Sequence, residues 1–431
     1  EHLCFPSFGS SLYTTCWKAK FQGKLNPKVN SMFESGARES MRGLPGIVQP
    51  VLTWVTGKPL DATERPFGVP RVLDVVVTFA SSVAIFSALV ALADQDTLEA
   101  WALIVAFWLV LVGLLRKMQV THLHHAIHNR LFDRPSLNKL YARIIPSLIF
   151  VQNGVEYRKE HLEHHNSDIF TTERDADAAF LAKLGFIPGR ERGELWINLW
   201  MTVASPVFHI MFARARLESV FLRNRPAETL MALAMLAGHV ALIVLAGGKT
   251  YFVAVLAPMF FIYHVSALLQ FLTEHAWNIA GEPVADWNDY ASRCWGRFCG
   301  ERFPVLASES NWRSRFAYVF RVAGWVARML LLHLPVRVAC LVSDLPAHDW
   351  HHLAHMAGQN SRDWQRSLYL RQAAIDGGDK AGFALRELWG MRGMIEHQFS
   401  WLESITCTYS IPNVRGLANR ENAAFNSGEL K

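Results

Sequence analysis

Four blocks of the chain are almost free of polar residues over close to 20 positions, about the length an α-helix needs to cross bilayer hydrocarbon. The first runs from about Val72 to Ala93, and the second from about Leu98 to Leu115, after the short acidic turn DQDTLE. The third covers about Leu230 to Ala246 and the fourth about Tyr251 to Leu272, with only GGKT between them. Connections this short predict two helical hairpins. The basic residues stand at the other ends. Lys58, Arg65 and Arg71 precede the first block, Arg116 and Lys117 follow the second, and Arg214, Arg216, Arg223 and Arg225 precede the third. The positive-inside rule then puts both termini and the long central segment of a multi-pass protein in the cytoplasm.

Two further segments, Glu194–Ala213 and Phe316–Val342, mix apolar residues with charge and are interrupted by Pro206 and Pro335. They are expected to lie in the membrane interface. The chain thus divides into an N-terminal cytosolic extension (1–70), a four-helix membrane domain (71–356) and a C-terminal cytosolic segment (357–431). The fold class expected is an all-α integral membrane protein whose cytosolic helical cap carries the polar chemistry.

Composition agrees. Hydrophobic residues make up 51% and charged residues 19% of the 431, against roughly 25% charged in an average soluble domain. The net charge of +6 suits basic flanks against anionic lipid and gives no reason to expect nucleic acid. Cys4, Cys16, Cys294, Cys299, Cys340 and Cys407 form neither a CxxC metal motif nor a dense disulfide framework, so reduced thiols are expected. No leader of basic, apolar and cleavage segments is expected near the start. The basic run RCWGRFCGER (293–302) reads as a solvated loop.

The histidines change the picture. Eleven of the eighteen fall in three short windows on the side assigned to the cytoplasm. THLHHAIHNRLF holds His122, His124, His125 and His128; YRKEHLEHHNSD holds His161, His164 and His165; LPAHDWHHLAH holds His348, His351, His352 and His355. Residues three and four apart share a helix face. His124 with His128, His161 with His164 and His165, and His348 with His351 and His352 therefore each present imidazoles to a common point. Eight such ligands are too many for one metal and suit two. Structural zinc prefers thiolates, which are not at hand, and calcium and magnesium prefer oxygen. Many neutral imidazoles with open positions suit iron, copper or nickel, and two irons beside a bilayer and a route for an apolar chain would favour oxygen chemistry.

The three windows resemble the histidine boxes of the membrane fatty acid desaturase and hydroxylase family. HHAIHNRLF is similar to the first box, HxxxH, YRKEHLEHH to the second, HxxHH, and HDWHH to the third. The resemblance covers roughly residues 70 to 356. It implies a diiron centre and, in the acyl-CoA branch, a ninth histidine at the end of the fourth span, where QFLTEHAWN places His275. His264, earlier in that span, competes for the role. The sequence departs from the pattern at His125, where an acid is common, at Asp349, where the third box has Asn, and at Phe271, where that branch has Asn. A water-bridging ligand is thus unassigned, with Glu274 as a substitute. Asp175, Asp177 and Asp349 are candidates to accept an imidazole N–H, or are simple loop acids.

The expected reaction is O2-dependent oxidation of an unactivated C–H bond, as desaturation of a fatty acyl or lipid-like chain or as hydroxylation. A smaller polar metabolite is the alternative substrate, and a membrane metal transporter is the reading from another class. There is no cysteine array for an iron–sulfur cluster and no GxGxxG, so electrons are expected from an external ferredoxin, cytochrome or reductase.

Overall fold

The computed structural model describes residues 36–66, 68–279, 283–306, 311–358 and 361–405. Cys4, Cys16 and Cys407 lie outside the described residues, as do most of the N-terminal extension and the end of the C-terminal segment. The described part is mostly helical, with one two-stranded parallel sheet made by β1 (Gly296–Phe298) and β2 (Glu387–Trp389).

Among the described residues, four helices are by length and composition able to cross a membrane: Arg71–Leu92, Leu98–Ile127, Pro226–Glu274 and Trp312–Ala339. The first two coincide with the first two blocks. Thr97 caps the second by accepting a hydrogen bond from the Ala100 amide, which sets the start of that helix where the acidic turn ends. Val72, Val76, Phe79 and Val83 of the first helix stay exposed. Apolar side chains left uncovered around so hydrophobic a helix face lipid, not water.

The third and fourth blocks lie in one 49-residue run. At 1.5 Å per residue that would measure about 74 Å, more than twice the ~30 Å of bilayer hydrocarbon. The run breaks at Gly247, with φ 84° and ψ 166°, a conformation open only to glycine in practice. Just beyond the break, Lys249 pairs with Asp96 at 2.8 Å, tying the two short turns together.

The remaining long helix corrects one part of the sequence reading. Phe316–Val342 was expected in the interface with Pro335 as a break; Trp312–Ala339 runs through Pro335 as one continuous helix. Arg313, Arg315 and Arg321 gather in its first turns, and a π-helical turn at Met329–His333 precedes Pro335, where widened hydrogen bonding accommodates the ring. It crosses Leu98–Ile127 closely: a Cβ on Gly113 would lie 2.0 Å from the Val338 carbonyl oxygen. The Glu194–Ala213 segment forms two helices, Arg192–Ala204 and Pro206–Phe221, bent by 66°.

The basic run 293–302 is a second correction. It is not a solvated loop, because β1 sits inside it and Arg293 and Arg297 are 3% and 0% exposed. β1 pairs with a strand about 90 residues away, Gly296 opposite Glu387, and so brings residues 383–404 against the membrane helices. Ile395, Phe399 and Leu402 pack with Leu268, Leu272 and Trp277. His275 itself is stitched to the run by a bridge to Cys294.

Candidate metal centre

Two groups of four histidines form where the ends of these helices meet. His124 and His128 end the long helix Leu98–Ile127, after a π-helical stretch at Lys117–Leu123 that sets their direction. His161 comes from the helix Gly154–His164, started by Asn153, whose side chain accepts from the Val155 and Glu156 amides. His351 comes from the short helix His348–Leu353. In this first group, each residue offers one ring nitrogen and all four lie within 4.8 Å of one another. His164, His275, His348 and His352 form the second group to the same tolerance.

His165 stands between them. Its Nε2 is 3.0 Å from His161 Nε2 and 3.0 Å from His351 Nε2, and its ring stacks on His352 at 4.4 Å. All nine histidines singled out in the sequence are therefore brought together. The close approaches continue with His124 Nε2 to His351 Nε2 at 3.2 Å, His164 Nε2 to His275 Nε2 at 3.3 Å and His352 Nε2 to His348 Nε2 at 3.1 Å. A neutral imidazole has one donor and one acceptor nitrogen, so so many converging nitrogens cannot all pair as donor and acceptor. Each group of four could hold a cation, which would relieve these contacts, and an all-imidazole donor set is one that iron accepts.

Electrostatics point the same way. Burial first, and then neighbouring imidazoles or arginines, hold His161, His165, His275, His348, His351 and His352 well below the ordinary histidine value. Burial and then Arg130 push His128 down to about 3. These rings are neutral at pH 7, the form that binds a metal without displacing a proton. His164 differs: burial lowers it, but Asp175, joined by Asp177 and Glu274, raises it to about 9.

The outer nitrogens explain why. His164 Nδ1 donates to Asp175 Oδ2 at 2.7 Å, and that same oxygen accepts from the Thr171 amide at 2.9 Å. Asp175 also caps the helix Ala176–Lys183, so its position is fixed from three directions. His275 Nδ1 donates to the Arg293 carbonyl at 3.2 Å and His352 Nδ1 to the Tyr290 hydroxyl at 2.9 Å. Tyr157 stands 3.4 Å from His124 Nδ1. Burial and then Asp175 push the Asp177 carboxyl up to about 8, and Asp177 joins His164 and Asp175 in a third, smaller group.

Glu274 reaches the second group, 3.2 Å from His348 Nε2. Asp349 turns away from the imidazoles and takes Arg371, whose Nε is 3.0 Å from both carboxylate oxygens; Arg371 also donates to Glu387 at 2.8 Å. His122 and His125 bond Asp74 and Asp344, each at 2.8 Å, and His355 lies against Trp287. His264 meets Arg216 at 3.1 Å and His209 at 3.3 Å. Sequence reasoning missed Tyr157, Tyr290 and Arg371. Tyr157 had a signal, since it stands one turn before His161; Tyr290 and Arg371 had none.

A cavity of about 700 Å³ opens onto the site, lined by His128, His165, His351 and His352 together with Trp287 and Tyr290. Among known proteins, residues 99–303 match the family model described as fatty acid desaturase. That stretch contains the first two boxes and His275 but stops short of the third box, which the fold carries back to the others. No curated protein and no solved structure matches the chain.

Proposed function

Over residues 99–303 the chain is a member of the fatty acid desaturase family, and from that premise we propose a diiron enzyme that desaturates a fatty acyl or lipid-like chain, using O2 and two electrons. The observation that carries this reading is the pair of four-histidine groups with His165 between them. Two iron ions bound there would supply reduction of O2 and removal of hydrogen from an unactivated C–H bond.

The side chains divide that work. His124, His128, His161 and His351 would hold one ion and His164, His275, His348 and His352 the other, with His165 at their boundary. Asp175 fixes the ring orientation of His164 and keeps its metal-binding nitrogen electron-rich. Glu274 takes the place of the water-bridging ligand. Trp287 and Tyr290 wall the cavity through which a chain would reach His128 and His351. Hydroxylation of the same chain is the alternative outcome, and the placement of the chain in the protein would select between the two products.

The membrane arrangement belongs to the same proposal: two hairpins, with both termini and the metal site cytoplasmic. The Lys249–Asp96 pair supports it, because Asp96 precedes the helix that ends in His124 and His128. Electrons come from an external ferredoxin, cytochrome or reductase. The test is metal analysis of the purified protein after anaerobic iron loading, with O2 consumption when reductant and acyl chains are added. Two irons per chain and a product short of two hydrogens are expected. Zinc, or a single metal per chain, would overturn the proposal.

A further inference from the structure

Two guanidinium groups lie buried among the span helices. Arg116 is 1% and Arg216 7% exposed, and among the described residues neither forms an ion pair. Both were expected at the basic flanks of the spans. They sit instead on the ring of Tyr263, with Arg116 at 5.2 Å and Arg216 at 4.5 Å from its centroid.

Their hydrogen bonding differs. Arg216 is saturated by neutral acceptors: the carbonyls of Phe150 at 2.5 Å, Met259 at 2.8 Å and Ile149 at 2.9 Å, and His264 Nε2. Arg116 has one polar partner, its Nη1 donating to Gln119 Oε1 at 3.2 Å, an oxygen that also accepts from the Tyr263 hydroxyl. Arg116 Nε and Nη2 are fully buried and have no partner among the described residues. These two nitrogens point their hydrogens from the same edge of the planar guanidinium, the edge that matches both oxygens of a carboxylate. A charge inside a span without counter-charge is costly and marks a functional position.

Arg116 lies on the helix that ends in the metal centre. His124 follows it by eight residues, on the order of 12 Å of rise. We propose that the free edge of Arg116 receives the carboxylate of an organic-acid substrate, held by Arg116 with Gln119 and Tyr263 fixing the guanidinium. Taken with the diiron reading above, this places the oxidised carbon a short chain length from a buried carboxylate, so the substrate is a free acid whose charged end enters the protein.

Calorimetric titration of octanoate and of methyl octanoate into the iron-loaded protein tests this. Octanoate binds at least about tenfold tighter than the uncharged ester, and Arg116→Gln abolishes the difference while leaving ester binding unchanged. Gln119→Glu provides a second variant that is not expected to harm folding. It supplies Arg116 with an internal carboxylate, so it should raise the melting temperature and weaken octanoate binding. Wild-type octanoate affinity in both variants would overturn the proposal, leaving water on that edge, and so would displacement of octanoate by chloride. Metal analysis of the same samples separates the two readings: a protein without two irons that still prefers octanoate sinks the diiron assignment and supports this one.

Discussion

The two histidine groups use the same side chain and differ in what surrounds it. In the group of His164, His275, His348 and His352 every member is buried, and three outer nitrogens are held by Asp175, by the Arg293 carbonyl and by Tyr290. In the group of His124, His128, His161 and His351, two members are only partly buried and line the cavity. There His351 Nδ1, away from the Nε2 that meets His124 and His165, has no partner among the described residues, and the outer contact from Tyr157 to His124 is long at 3.4 Å. Ligands fixed by outer hydrogen bonds hold a metal in one geometry, whereas ligands left free can shift as substrate or oxygen arrives. One group reads as the anchored half of the centre and the other as the working half.

Removing a ligand tests that division most severely. His275→Ala should strip one iron from the anchored group, leave close to one per chain and abolish turnover, since no other side chain of the described residues stands ready to replace it. His128→Ala, at the open edge, should keep more of its iron under the same dialysis while also losing activity. Equal metal loss in the two variants would erase the distinction between the groups.

Next in size is the support shared by both groups. The helix His348–Leu353 gives His348 and His352 to one and His351 to the other, and Asp349 on that helix is clamped by Arg371, itself paired with Glu387 of β2. Arg371→Met leaves two carboxylates buried without that partner, and should cost about 3–5 kcal/mol of stability. Thermal unfolding in detergent measures it. Both irons should be lost together, unlike in the histidine variants.

Much of this was legible in the chain. The convergence of His124 with His128, of His161 with His164 and His165, and of His348 with His351 and His352 followed from one-turn spacing, because a helix face is a local property. His275 came from resemblance, since no neighbouring histidine marks it. The first two spans were legible for the same local reason, although Leu98–Ile127 runs further than its apolar block through the π-helical turn that delivers His124. What was not legible depends on pairing at long range. The run 293–302 looks solvated until Glu387–Trp389 covers it, and Asp349 looks available to an imidazole until Arg371 arrives from 22 residues on. Arg116 and Arg216 counted as flanking charges because burial among packed helices leaves no mark in the local pattern.

A smaller effect separates the groups by their acids. Asp175→Asn keeps the shape and the helix cap but removes the charge beside His164, so the anchored iron should bind about 10- to 100-fold more weakly. Chelator competition, monitored for each iron separately by Mössbauer spectroscopy, reads this directly. The open group has no carboxylate so placed among the described residues and should hold its iron at wild-type affinity. Equal weakening of both would mean that the two irons form one cooperative unit.

The finest comparison is between two tyrosines in the same role. Tyr290 accepts from His352 Nδ1 at 2.9 Å, and Tyr157 stands 3.4 Å from His124 Nδ1. A neutral hydrogen bond contributes about 1 kcal/mol, roughly a fivefold change in affinity, and weakens as the distance grows. Tyr290→Phe should therefore cost the anchored iron about fivefold in affinity, and Tyr157→Phe should cost the open one distinctly less. Phe170 stacks on Tyr290 at 4.4 Å, so the phenyl ring stays in place and the loss is that of the hydroxyl alone. If Tyr157→Phe proves the more damaging, the open group depends on its single outer contact and is as anchored as its neighbour. The contrast between the groups would then lie only in their access to the cavity.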